Sequence, residues 1–336
     1  MRRLAAALLL TLTALGLASH AEAGRLEQIK ARGYLTCGYA LGLLGFSVPV
    51  PDGEPIGFDA DTCRAVSVAI FGDSRRLRFV EAESVQDLKT NLDIDLAVRR
   101  LSWTLSREGA DGLIFGPITF YDGQGFLVPK ANGLSTGSQL GEKRVCVDPG
   151  ESWAGNLIRY LKAKNLKAEV IVTAGPEDSR RRLFAGKCDA YSADKSMLAS
   201  VRAIANHLDD SVILADEISK EPLAPIMREG DDQFFQVVRW TIFAMIDAEE
   251  LGVTSKNVEA KLASNDPDVM RLLGKIPGNG KALSLSDDWA YQVIKAIGNY
   301  GEMFSRNLGP DSDLKLDRGR NNLWTNGGLM YAPPLR

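Results

Sequence analysis

The sequence predicts an α/β protein of two lobes joined by two hinge strands, with a helical extension docked at its C-terminal end. Three observations carry that expectation. Strand-like and helical segments alternate along the chain. Two extended segments, near 121–129 and 217–227, mark a way out of one half and back. A helical face recurs after the second of them. The 336 residues suffice for about two domains of ~100–200 residues. Hydrophobic content of 45% and charged content of 25% exclude a disordered tail or a fibrous repeat. A formal net charge of −3 offers no electrostatic footprint for nucleic acid.

The first element is an export signal. Met1-Arg2-Arg3 is basic, residues 4–17 are apolar except for Thr11 and Thr13, and Ala21-Glu22-Ala23 places small residues where a signal peptidase reads. That run is shorter than the ~20 residues of a membrane span. Gly24 is the expected first mature residue, and no later stretch is long and apolar enough to cross a bilayer. The expected protein is exported and not membrane-inserted.

Residues 34–39 (YLTCGY) read as the first strand. Asp59 is read as the N-cap of a helix running to Phe71, with Cys63, Val66, Ile70 and Phe71 on its apolar face. Strands follow at 77–80, 144–148, 169–173 and 189–192, with a helix centred on 181–185. Residues 121–129 run from a turn into extended chain, and 217–227 carry Pro222 and Pro225, which favour extended backbone before them. The implied lobes are 24–127 with 224–282, and 128–223, an arrangement suited to hinge closure. Residues 234–249 are an apolar-rich helix. In the remaining 283–336, Trp289, Val293, Ile297, Tyr300 and Phe304 recur at helical steps and must bury against something, with Ser286 as a plausible cap. The tail ends in Tyr331-Ala332-Pro333-Pro334 and is read as docked on the fold.

The cysteines are Cys37, Cys63, Cys146 and Cys188, an even number in an exported chain, which favours disulfides. Three pairings are possible. Joining neighbours, Cys37–Cys63 and Cys146–Cys188, puts one bridge in each half, each constraining the unfolded chain by roughly 3–4 kcal/mol. A zinc site on the four thiolates lacks the usual Cys-x-x-Cys spacing.

Enzyme signatures are absent: no GxSxG elbow, no Walker loop, no HExxH. The histidines are His20, inside the removed segment, and His207, read as a surface or helix-end residue. Gly123-Gln124-Gly125 reads as a turn. Asp231-Asp232 and Asp287-Asp288 sit at helix starts, where the dipole favours negative charge. The chain is read as a non-enzyme without metal or cofactor.

Several motifs in order carry a family resemblance. They are Gly57-Phe58-Asp59-Ala60-Asp61 with Cys63-Arg64-Ala65; Trp103-Thr104-Leu105-Ser106-Arg107; and Tyr121-Asp122-Gly123-Gln124-Gly125-Phe126. Ile218-Ser219-Lys220-Glu221-Pro222-Leu223, Trp240, Asn299-Tyr300-Gly301-Glu302 and the closing Tyr331-Ala332-Pro333-Pro334 follow. The mature chain resembles the extracytoplasmic solute-binding proteins of polar amino acid uptake, and within them the general L-amino-acid-binding periplasmic proteins. The resemblance implies a type II periplasmic-binding-protein fold. It also implies a monomer in the periplasm that takes an amino acid or small amphoteric relative and hands it to an inner-membrane ABC permease.

It further implies roles. Arg107 grips the ligand α-carboxylate, as a bidentate guanidinium fork can. Ser102 assists. A turn at Gly150-Glu151-Ser152 opens a helix whose N–H groups meet the carboxylate. Asp194 holds the α-ammonium, and Phe46 covers the ligand side chain. Four positions depart from the family pattern: Arg100, Leu101, Glu151 and Trp153 replace small or polar residues. Arg100 and Glu151 either pair with each other or read an acidic or basic ligand side chain. Two other functions fit the same fold: a sensor or accessory protein with an altered ligand, and an exported lyase using Glu151.

Overall fold

The computed structural model describes residues 24–336 apart from Asp52, Glu83, Gly150 and Glu151; the export-signal reading of 1–23 lies outside the described residues. In the first lobe, β1 (Leu35–Tyr39), β2 (Leu77–Glu81) and β3 (Leu96–Ala97) run parallel. The helices Phe58–Phe71 and Val85–Thr90 make the crossovers that parallel pairing demands. Further along the chain come β4 (Leu113–Phe115) and the hinge strand β5 (Phe120–Asp122). The second lobe is built on β6 (Gln124–Pro129), β7 (Arg144–Val147), β8 (Glu169–Val172), β9 (Ala190–Asp194) and β10 (Ser211–Ile213), in the order β10-β6-β9-β7-β8. The chain returns through β11 (Glu221–Leu223) and β12 (Ile226–Arg228), the latter inserting antiparallel between β3 and β4 to give β2-β1-β3-β12-β4.

The lobes are joined by β5 and β11, an antiparallel pair with Asp122 opposite Glu221, Tyr121 opposite Pro222 and Phe120 opposite Leu223. This places the first passage at Gly123 and not at 127: Gln124–Pro129 is already β6, and Leu127 pairs with Tyr191 in the second sheet. Gly123 suits the switch because a Cβ there would come within 3.0 Å of the Ser219 carbonyl.

Two helix starts also differ from expectation. Gly57, not Asp59, caps the helix Phe58–Phe71; its φ of 129° and the 2.3 Å that a Cβ would leave to the Phe46 carbonyl admit glycine only. Asp59 falls inside the first turn and is buried. Asp288, not Ser286, caps Trp289–Ile297. The apolar stripe spans two helices, Trp289–Ile297 and Tyr300–Asn307, divided at Gly298 (φ 93°) and restarted by a capping box between Asn299 and Glu302. All five stripe residues are buried in the core shared with the helices Phe58–Phe71 and Asp232–Glu250.

The C-terminal segment packs on both lobes and on the hinge. Arg318 pairs with Glu249 at 3.0 Å, and the Tyr300 hydroxyl donates to the Thr119 carbonyl at 2.9 Å. Asn321 accepts from the Tyr121 N–H at 2.6 Å and donates to its carbonyl at 3.1 Å, satisfying both main-chain groups in the middle of β5. Toward the second lobe, Arg320 reaches Glu217 at 2.8 Å, and Arg202 donates to the Leu314 carbonyl at 3.3 Å. The cysteines pair as Cys37–Cys63 and Cys146–Cys188, with Cα separations of 6.1 and 5.8 Å, one bridge in each lobe. Among the described residues no helix is long and apolar enough to cross a membrane.

Candidate functional site

The lobes and the hinge enclose a cleft of 720 Å³. Its first-lobe wall begins where β3 ends. Thr104 caps the short helix Leu105–Asp111, its hydroxyl accepting from the Arg107 N–H, which puts Arg107 in the first turn beside the cleft. The Arg107 guanidinium donates to the Ser102 carbonyl at 2.8 Å, which fixes one edge of the fork at the cleft wall. Ser102 is buried and bridged to Leu223, and its hydroxyl donates to Glu221 at 2.5 Å. The Ser219 hydroxyl donates to the other Glu221 oxygen at 2.8 Å and accepts from the Gln124 N–H at 3.0 Å. Both lobes and the hinge therefore meet at Glu221.

From the second lobe, Asp194 closes β9 opposite Gln124, and the Trp153 indole N–H donates to its carboxylate at 3.1 Å. Burial pushes the Asp194 carboxyl up to about 8, helped by the neighbouring Asp122 and Glu221 and opposed by the Trp153 hydrogen bond and by Arg100. Asp122, behind it, is pushed up to about 6 by burial. A buried carboxyl held back from ionising by other acids is a ready partner for an ammonium, whose charge lets it ionise. Ser152 stands at the N-cap position of the helix Trp153–Ala163 without a side-chain capping bond, and that N-terminus faces the cleft. Gly150 and Glu151, and with them the Glu151 expectation, lie outside the described residues.

Arg100, Ser102, Arg107, Ser152 and Asp194 all line this one cleft. Arg100 holds a left-handed φ of 55°, rare without glycine, and its buried Nε has no partner. Behind it, Asp59 is pushed up to about 7 by burial, opposed by Arg100 and Arg99. Phe46 does not join them. It is fully buried, with its ring edge-on to Phe58 and Phe120 at 6.1 and 5.3 Å, and so packs in the core and not on the cleft wall. The short bridges Leu43–Ser47 and Val48–Ile56 fold its loop inward.

Sequence reasoning missed Ser219, Lys220 and Glu221, although they lie in a motif it singled out, because only the hinge crossing brings them to the cleft. It also missed Asn156 and Arg159, which lie four and seven residues after Ser152 on one helix face. That spacing was a legible signal. His207 is where expected, at a helix end on the surface, stacked on Phe184 and paired with Asp210.

No family model matches the chain. It is 42% identical over 323 residues, 95% of each chain, to the General L-amino acid-binding periplasmic protein AapJ of Rhizobium johnstonii. To the Glutamate/glutamine/aspartate/asparagine-binding protein BztA of Rhodobacter capsulatus it is 41% identical over 322 residues, again 95% of each. A solved periplasmic binding protein of an ABC transporter from Brucella ovis, with glutathione bound, superposes with a TM-score of 0.84 at 41% identity, covering 94% of this chain and 100% of that one.

Proposed function

Because the chain belongs to the periplasmic amino-acid-binding proteins of ABC transporters, we propose that it captures an amino acid or small amphoteric relative between its lobes and presents it to an inner-membrane permease. The observation that carries this reading is a guanidinium and a carboxyl on opposite walls of one cleft: Arg107, steadied by the Ser102 carbonyl, and Asp194, steadied by Trp153 and ready to ionise beside an ammonium. Arg107 takes the α-carboxylate, and the helix N-terminus at Ser152 adds N–H donors from the other lobe. Asp194 takes the ammonium, and Glu221 adds negative potential from the hinge.

A ligand gripped from both walls binds the closed form better than the open one and shifts the population toward it. Closure bends the chain at β5 and β11. The closed form is what the permease reads. The protein acts in the periplasm as a monomer, and no bond is made or broken in the ligand. The test is a thermal-shift screen of the common amino acids and glutathione. A ligand at 100 times its Kd adds ~2.7 kcal/mol to stability, several degrees in Tm. Silence across the whole screen would remove the reading.

A further inference from the structure

Among the described residues, the cations lining the cleft outnumber the acids. Arg100 and Arg107 come from the first lobe, Arg159 from the second and Lys220 from the return passage, against Asp194 and Glu221. The acids are already engaged: Trp153 donates to Asp194, and the Ser102 and Ser219 hydroxyls take the two oxygens of Glu221. The hydrogen bonds of the cations go to groups without charge: Arg107 donates to a carbonyl and Arg159 to the Asn156 side chain. The buried Arg100 Nε has no hydrogen-bond partner, and the acids near Arg100, Asp194 and Asp59, are both held toward their neutral forms by burial.

The placement of two of these cations is particular. Arg100 is held at φ 55°, a strained setting that a fold retains where a side chain has to be aimed. Arg159 shares a helix face with Ser152 and Asn156, the face that looks into the cleft. Closing the lobes around a neutral ligand would bring like charges from the two walls together as water leaves, where their repulsion strengthens. A ligand of net negative charge removes that opposition. The 720 Å³ of the cleft also lies in the range that encloses small ligands well beyond one amino acid in size.

We propose that Arg100 and Arg159, from opposite lobes, form a second carboxylate subsite, so that the preferred ligand is acidic and amphoteric, with an ammonium, an α-carboxylate and at least one further carboxylate. This rests on the reading of Arg107 and Asp194 given above. A dicarboxylic amino acid and a γ-glutamyl peptide both present that chemistry.

Calorimetry on the mature chain separates the possibilities with glutamate, its neutral isostere glutamine, and glutathione. The expected result is that glutamate or glutathione binds at least about tenfold more tightly than glutamine. The stronger of the two then shows whether the source is an amino acid or a peptide. Arg100→Gln and Arg159→Gln should each weaken that acidic ligand by at least about 30-fold while moving glutamine by less than about threefold. Glutamine binding as well as the acids, or variants that weaken both alike, would overturn the subsite and leave the general reading standing. Failure of all three ligands would overturn the subsite, and the general reading falls with it only if the full amino-acid screen is silent as well. If a variant does not fold, as thermal unfolding would show, the wild-type comparison of glutamate with glutamine decides alone.

Discussion

Replacing Arg107 by alanine is the sharpest probe of the cleft, because its guanidinium is held along one edge, by the 2.8 Å bond to the Ser102 carbonyl. The side chain is only half-buried, so truncation opens no core cavity, and unfolding of the ligand-free protein should change little. Binding is different. The ligand carboxylate would enter a closed cleft without its counter-charge, and truncating one partner of such a buried pair costs ~2–5 kcal/mol. At about 1.4 kcal/mol per tenfold, that is a loss of roughly 30-fold to a few thousand-fold in affinity, for any ligand with an α-carboxylate. Arg107→Lys should recover little, since an ammonium cannot make two parallel bonds to a carboxylate while one edge is held by Ser102. Calorimetry with the best ligand from the screen reads both variants. Near wild-type affinity for Arg107→Ala, with unfolding unchanged, would refute the assignment.

Other outcomes follow from the same geometry. With its carboxyl raised to about 8 in the free protein, Asp194 is mostly protonated at neutral pH, and a bound ammonium drives it to ionise. Binding should therefore release a proton at pH 7 and strengthen as pH rises from 6 to 8; heats independent of buffer ionisation, or no change in Asp194→Asn, would contradict this. For folding the sign is the reverse of an ordinary salt-bridged acid. A carboxyl whose folded value lies above the usual 3.8 contributes stability that is complete below that value and lost as pH rises through the raised one. Asp59 and Asp247, each about 7, act in the same direction, so the ligand-free Tm should fall between pH 6 and pH 8. Peptide mapping without reduction should recover Cys37 with Cys63 and Cys146 with Cys188; with the partners 26 and 42 positions apart, each bridge constrains the unfolded chain by about 3–4 kcal/mol, and reduction should lower Tm accordingly. Asn321→Ala strands both main-chain groups of Tyr121 and should cost about 1–3 kcal/mol in unfolding; a Tm within a degree of wild type would show that the clamp on the hinge is dispensable.

Much of the architecture is written locally. Alternating strands and helices, the glycine and prolines that mark the passages between lobes, the cysteine neighbours and the stripe from Trp289 to Phe304 all act through period, turn chemistry and short loops, which a chain carries before it folds. Arg107, Ser102, Ser152 and Asp194 are named through the family resemblance, not through local pattern, and all four line the cleft. What the tertiary structure alone decided are matters of which side of a wall a residue faces and which distant residue it meets. Phe46 has the same apolar signature whether it covers a ligand or fills a core, and only the folding of its loop against Phe58 and Phe120 buries it. Glu221 gains its place through Ser102, 119 positions earlier, and Asp194 its indole donor through Trp153, 41 positions earlier. Asn321 reaches Tyr121 across 200 positions. Such pairings depend on where the two lobes and the tail are packed, a property of the whole fold that no local run of residues encodes.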